Sequence, residues 1–282
     1  MDFKTFARLI MIEQTLFALP FALLGVLFAG GGTFTTWLWV AVALAAARTA
    51  GMSFNRVIDA DIDAQNPRTA DRALPKGDVS PKAVWLTAAA ACLIFIFSAW
   101  MLNPLCFHLS FLGVFLLLTY SFFKRFSATS HFYLGLIEAA APIGGYLAVT
   151  GEVTFLAVVL GLIILAWIAG LDIIYALQDL DFDRAQNLHS LPVSLGREQS
   201  LQVSAACYAV SMSAMILAGL MSGQNGPYWI ALIVIFGIFF YQQTLARQTE
   251  AGPAAAGIFK VNGYIAPVLF AGALLDLWVE WF

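Results

Sequence analysis

The 282-residue chain is 61% hydrophobic and only 11% charged, with a formal net charge of −3, whereas soluble domains carry about 25% charged residues. That balance excludes an ordinary soluble domain, and nothing in it supports nucleic-acid binding. Cys92, Cys106 and Cys207 stand singly in apolar stretches without CxxC spacing, so neither a disulfide framework nor a zinc site is expected.

Apolar runs of about 20 residues, the length that crosses a hydrocarbon core, fall at 12–30, 34–54, 81–101, 104–122, 131–150, 153–177, 200–222, 226–245 and 261–281. Barrel strands would be shorter and alternating, so helices are the only elements that satisfy their own backbone across lipid at this length. The runs predict an all-α polytopic membrane bundle of nine transmembrane helices. No polar segment is long enough to bury a core of its own, so 1–282 is expected to form a single domain. Met1 to Arg8 leads into the first run without a small-residue cleavage pattern, so the first helix is expected to be retained.

Basic residues fall on alternate connections. Lys4 and Arg8 precede the first run; Arg56, Arg68, Arg72, Lys76 and Lys82 follow the second; Lys124 and Arg125 follow the fourth; Arg184 and Arg197 follow the sixth; Arg247 and Lys260 follow the eighth. The opposite loops, near Gly31, Asn103, Gly151 and Gln224, carry no Lys or Arg. By the positive-inside rule the N-terminus is cytoplasmic and the C-terminus external, which predicts that the polar clusters face the cytoplasm.

The first cluster, NRVIDADID, places Asn55, Asp59 and Asp63 four residues apart after the second run. LPKG at Leu74 to Gly77 is a turn signal, and Ser80 with Pro81 predicts the cap of the third helix. The second cluster, YALQDLDFD, repeats the spacing with Tyr175, Asp179 and Asp183 after the sixth run, ahead of LPVSLG at Leu191 to Gly196. Both clusters precede an LP pair, a hint of internal duplication on which no function is rested.

Residues four apart share a helix face, so each cluster stacks two carboxylates that repel one another unless a cation lies between them. Mg²⁺ takes oxygen ligands, often one or two carboxylates with substrate phosphates. Two opposed pairs, Asp59 with Asp63 and Asp179 with Asp183, would suit a metal-bridged diphosphate, with Asn55 adding an amide oxygen. The plainer alternative is a set of solvated interfacial acids. Asp61 and Asp181 point off the ladders and read as solvated or supporting groups.

Arg68, Arg72 and Lys124 supply positive charge for an anion, the alternative being that they hold the loops on one side, which is the favoured reading for Arg125. Within the membrane, Arg48 and Asp172 lie seven residues before Asn55 and Asp179; buried charges of this kind pair or function. They pair with each other, shape the substrate pocket, or bond helix to helix. Glu13, Glu138 and Asn262 are open in the same way. His189 reads as a loop contact, and His108 and His131 have no identifiable partner.

On these residues the chain resembles the UbiA superfamily of intramembrane prenyltransferases, over essentially its whole length. The NxxxDxxxD motif is met by Asn55, Asp59 and Asp63, and RTxxRxLPxG by Arg68, Thr69, Arg72, Leu74, Pro75 and Gly77. DxxYxxxDxxxD is met by Asp172, Tyr175, Asp179 and Asp183, and YxxxK by Tyr120 and Lys124. The resemblance implies Mg²⁺-dependent transfer of a polyprenyl group from its diphosphate to an aromatic acceptor, with Tyr120 and Lys124 at the diphosphate and Arg72 opposite an acceptor carboxylate. Tyr175, in line with the second ladder, is the candidate to face an allylic cation; an interfacial tyrosine is the alternative. Many 4-hydroxybenzoate-prenylating members have Asp after the first Asn, where this chain has Arg56. The form resembles the 4-hydroxybenzoate polyprenyltransferase-like bacterial branch, some of which belong to the futalosine route to menaquinone, so the acceptor is left open. A transporter or cation-binding channel is the competing class; it would need polar groups continuing across the bundle. A purely structural scaffold, which would need no matched ladders, ranks third.

Overall fold

The computed structural model describes residues 3–248, 257–258 and 260–279, and every regular element among them is helical. Met1 of the expected N-terminal segment and residues 280 and 281 of the last expected span lie outside them. In chain order the helices are α1 (Phe3–Ile10), α2 (Ile12–Phe28), α3 (Phe34–Ile58), α4 (Ala60–Gln65), α5 (Pro81–Leu102), α6 (Pro104–Phe123) and α7 (Ser130–Thr150). Then come α8 (Phe155–Ala176), a 3₁₀ turn (Leu177–Asp179), α9 (Leu180–Ala185), α10 (Leu191–Met221), α11 (Gly226–Gln248) and α12 (Ile265–Val279). Eight of the described helices are long and apolar enough to cross a membrane; the α1–α2 pair, bent by 57°, makes a ninth if it counts as one span. The chain is an all-α integral membrane protein.

Local chemistry sets the helix ends. The Ser80 hydroxyl accepts from the Ala83 N–H, with Pro81 at the first helical position, as the sequence predicts. Asn103 and Pro104 do the same for α6. Met11 adopts the left-handed region at φ 50° and separates α1 from α2. The stretch from Asp179 to Ser200, polar in sequence, is mostly helical. Ser190 caps Leu191, and Gly196, at φ 77°, interrupts the helix before it enters the membrane. Capping plus a Gly break gives a turn of helix where polarity alone suggests loop.

Lipid is as apolar as the side chains it surrounds, so close packing and interhelical hydrogen bonds hold such bundles together. α8 is the most enclosed span, packed between α7 and α10. Ser204 and Ser211 of α10 donate to the carbonyls of Gly170 and Ile163 at 2.7 and 2.8 Å. Where α2 meets α7 the backbones touch: a Cβ on Gly25 would overlap the Pro142 carbonyl, and one on Gly145 the Ala22 carbonyl. α12 packs back onto α2 and closes the ring. Inside it lies a cavity of about 670 Å³, walled by α2, α3, α5, α6, α7, α8 and the Asn262–Ala266 segment.

Candidate active site

The two acidic clusters fall at helix breaks and not on unbroken helices. Asp59 ends α3 and Asp179 ends the 3₁₀ turn after α8, each with a short helix following. The four-residue repeat survives because the i→i−4 backbone bonds run on through the break, with Asp59 N donating to Asn55 O and Asp63 N to Asp59 O. Asp61 and Asp181 are exposed, as their off-ladder positions predict.

Each carboxylate of the first cluster has its own cation. Lys124, at the end of α6, sits 2.8 Å from Asp59 Oδ2, and Arg72 Nη1 lies 2.7 and 2.6 Å from the two Asp63 oxygens. Asn55 Nδ2 donates to Asp59 Oδ2 at 2.8 Å and to Ser121 at 3.2 Å. Burial pushes the Asp59 carboxyl up from its ordinary value, against the lowering pull of Lys124. Asp59 Oδ1 is buried and accepts no hydrogen bond among the described residues, with Arg125 Nη2 3.7 Å away.

The loop after α4 reaches across to the second cluster. Arg68 grips Asp179 with Nε at 2.9 Å and Nη2 at 2.5 Å, a two-point guanidinium–carboxylate contact. That hydrogen bond is the main reason the Arg68 guanidinium is held above its ordinary value. Asn66 adds a third contact, Nδ2 to Asp179 Oδ1 at 3.1 Å, while its own Oδ1 accepts the Arg68 N–H at 2.9 Å. Thr69 ties the loop down by donating to the Asp63 carbonyl at 2.9 Å. Asp183 lies within electrostatic reach of Asp179, Lys124 and His131. Both clusters therefore occupy one end of the bundle.

Of the residues expected to act together, Asn55, Arg72, Tyr120, Asp172 and Tyr175 line the cavity. Asp59, Asp63, Asp179, Asp183, Arg68 and Lys124 lie outside its lining. Arg48 and Asp172 do not pair with each other. Arg48 bonds to Glu138 of α7, and Asp172 bonds to His131, whose Nδ1 is 2.7 Å from Asp172 Oδ2. His131 thus has a partner that the sequence did not disclose. His189 makes its loop contact through its backbone, donating to the Lys124 carbonyl at 2.8 Å. Asn66 was the unmarked member of the site: it stands in the NPRT run, but only the folded loop brings its amide to Asp179. Away from the polar end the cavity wall is apolar, with Val40, Leu44, Leu102 and Leu147 among its residues.

The donors suit a hard divalent cation: the carboxylates of Asp59, Asp63, Asp179 and Asp183, with one Asp59 oxygen still unsatisfied. Among the described residues no three acidic, histidine or cysteine side chains converge to hold such an ion by themselves. An ion at this end would need phosphate oxygens of a ligand to complete its shell.

Residues 18–264 match the model of the UbiA prenyltransferase family. A 4-hydroxybenzoate octaprenyltransferase of Shewanella halifaxensis is 30% identical over 264 residues, covering 93% of this chain and 91% of its own. One of the same name from Azoarcus sp. is 33% identical over 230 residues, covering 81% and 79%. Among solved structures, the apo structure of a UbiA homolog from Aeropyrum pernix superposes with a TM-score of 0.87 at 30% identity, covering 94% of this chain and 98% of that one. A UbiA homolog from Archaeoglobus fulgidus bound to GPP and Mg²⁺ shares the fold with a TM-score of 0.70 at 18% identity, covering 95% and 99%.

Proposed function

This chain belongs to the UbiA prenyltransferase family, and from that membership and the geometry of its polar end we propose that it moves a polyprenyl group from polyprenyl diphosphate to a hydroxylated aromatic carboxylate. The names of its relatives favour 4-hydroxybenzoate as that acceptor, which puts the reaction in quinone biosynthesis, toward ubiquinone or, by the futalosine route, menaquinone. The site works from the cytoplasmic face of a bacterial inner membrane, the side on which the basic loops lie.

The single observation that carries this reading is the clamp of Arg68 and Asn66 on Asp179. It draws the loop of the first cluster onto the second, beside one end of an apolar cavity. A diphosphate there meets cations already in place at Lys124, Arg68 and Arg72, and its tail enters the cavity. Asp59, Asp63, Asp179 and Asp183, with Asn55, would hold Mg²⁺. When bound, the metal would neutralise the diphosphate and make it a better leaving group. Lys124 and Arg68 add to that charge stabilisation as the allylic C–O bond breaks. Tyr120 and Tyr175 border the point where the allylic carbon would lie, and their ring faces favour a cation in a dry pocket. The acceptor carboxylate has three guanidinium groups on the cavity wall to meet, Arg48, Arg56 and Arg72. The apolar far end of the cavity supports transfer over transport, which would need a polar path across the bundle.

The test is transfer from labelled geranyl diphosphate to 4-hydroxybenzoate, with and without Mg²⁺, in the wild type, Asp59→Asn and Asp179→Asn. Product should form only with the metal and fall by at least about 100-fold in both variants. Retained activity in both variants rejects the assignment, and product mass identifies the acceptor.

A further inference from the structure

Two carboxylates line the cavity below the ladders, Glu138 and Asp172. Glu138 is in direct contact with the Arg48 guanidinium, so its charge is cancelled. Asp172 has a partner of another kind. His131 is 3% exposed and meets Asp172 Oδ2 through Nδ1, while its Nε2 accepts the backbone N–H of Leu191 at 3.2 Å. A ring nitrogen that accepts an N–H carries no proton, so the network assigns the proton to Nδ1, which donates to Asp172, and the imidazole is neutral. Asp172 is therefore oriented without being neutralised. Its side chain is 31% exposed where it borders the cavity, and Oδ1 has no hydrogen bond among the described residues. Tyr120 and Tyr175 are within electrostatic reach of it.

Resting on the prenyl-transfer reading above, we infer that Asp172 is the base that removes the ring proton of the aromatic acceptor, and that His131 is its positioning residue. The allylic C–O bond breaks with its electron pair leaving on the diphosphate. Two π electrons of the acceptor ring form the new C–C bond to the allylic carbon. The C–H bond at that ring carbon then breaks, its electrons restore aromaticity, and the proton goes to Asp172 Oδ1, from which water at the polar end takes it. Glu138, tied to Arg48, is a weaker competitor for that proton, and the ladder carboxylates do not line the cavity.

The experiment compares rates with 4-hydroxybenzoate and with the same acid deuterated beside its hydroxyl, using geranyl diphosphate and Mg²⁺. With Asp172 in place, proton removal should outpace ionisation in the wild type, so the two acceptors should react equally. Asp172→Asn should slow product formation by about 100-fold or more and expose a primary isotope effect. Asp172→Glu, which keeps a carboxylate, should regain part of the rate and lose the effect. His131→Phe should give a smaller loss with the effect visible. A slowed Asp172→Asn whose isotope ratio equals that of the wild type, or an Asp172→Asn at wild-type rate, overturns the inference. Should Asp172→Asn fail to fold, a His131→Phe that shows the wild-type ratio overturns it as well. A wild type that makes no prenylated arene instead sinks the transfer reading, and the base with it.

Discussion

The two aspartate clusters look alike in sequence and differ in the folded protein. The first is built into its surroundings: Asp59 and Asp63 have side chains 2% and 6% exposed, and each has a private cation in Lys124 or Arg72. The second is more open, with Asp179 18% exposed, and its cation is Arg68, half-exposed and lent by the loop of the first cluster. One cluster is a fixed wall and the other is joined to it by a reach of loop. That asymmetry fits the proposal that one anion is held from both sides.

Breaking the private pair should cost more stability than breaking the lent one. Arg72→Ala leaves Asp63 buried and unpaired, and removing one partner of a buried pair costs about 3–5 kcal/mol. The melting temperature of the detergent-solubilised protein should fall clearly. Arg68→Ala removes a half-exposed partner, so its stability cost should stay within about 1 kcal/mol. Its effect should appear in catalysis instead: kcat/KM for the prenyl diphosphate falls by about 10-fold or more, since a two-point contact that joins the clusters is lost. A stability loss in Arg68→Ala equal to that in Arg72→Ala would erase the contrast between the clusters.

The remaining acids sharpen the comparison by doing nothing. Asp61→Asn and Asp181→Asn change exposed groups outside both ladders, so activity should stay within about twofold and stability within about 0.5 kcal/mol. A large loss in either would mean that acidity in general matters, and not the four-residue repeat.

What the sequence made legible follows from length and period. A run of 20 apolar residues has one structural solution in lipid, so over the described residues each expected span is matched by a helix, the first of them bent away from α1 at Met11. The repeat of Asn55, Asp59 and Asp63 survives a helix break because the backbone bonds run through it. Contacts between helices are a different matter. His131 and Asp172, or Arg48 and Glu138, meet only through the relative rotation and depth of two spans, which no local period encodes. Asn66 is of that kind too: its amide finds Asp179 from 113 residues away. The helical turn from Leu191, opened by the Ser190 cap and ended at Gly196, lies in a stretch whose polarity alone suggests a connection.

The most direct measurement of the central claim is a structure of the protein with geranyl diphosphate and Mg²⁺ bound. The diphosphate should lie between the two clusters, with metal about 2.1 Å from carboxylate oxygens of both the Asp59–Asp63 and the Asp179–Asp183 pairs, and with the tail in the cavity beside Tyr120 and Tyr175. A diphosphate held by one cluster alone, or metal bound away from both, would contradict it.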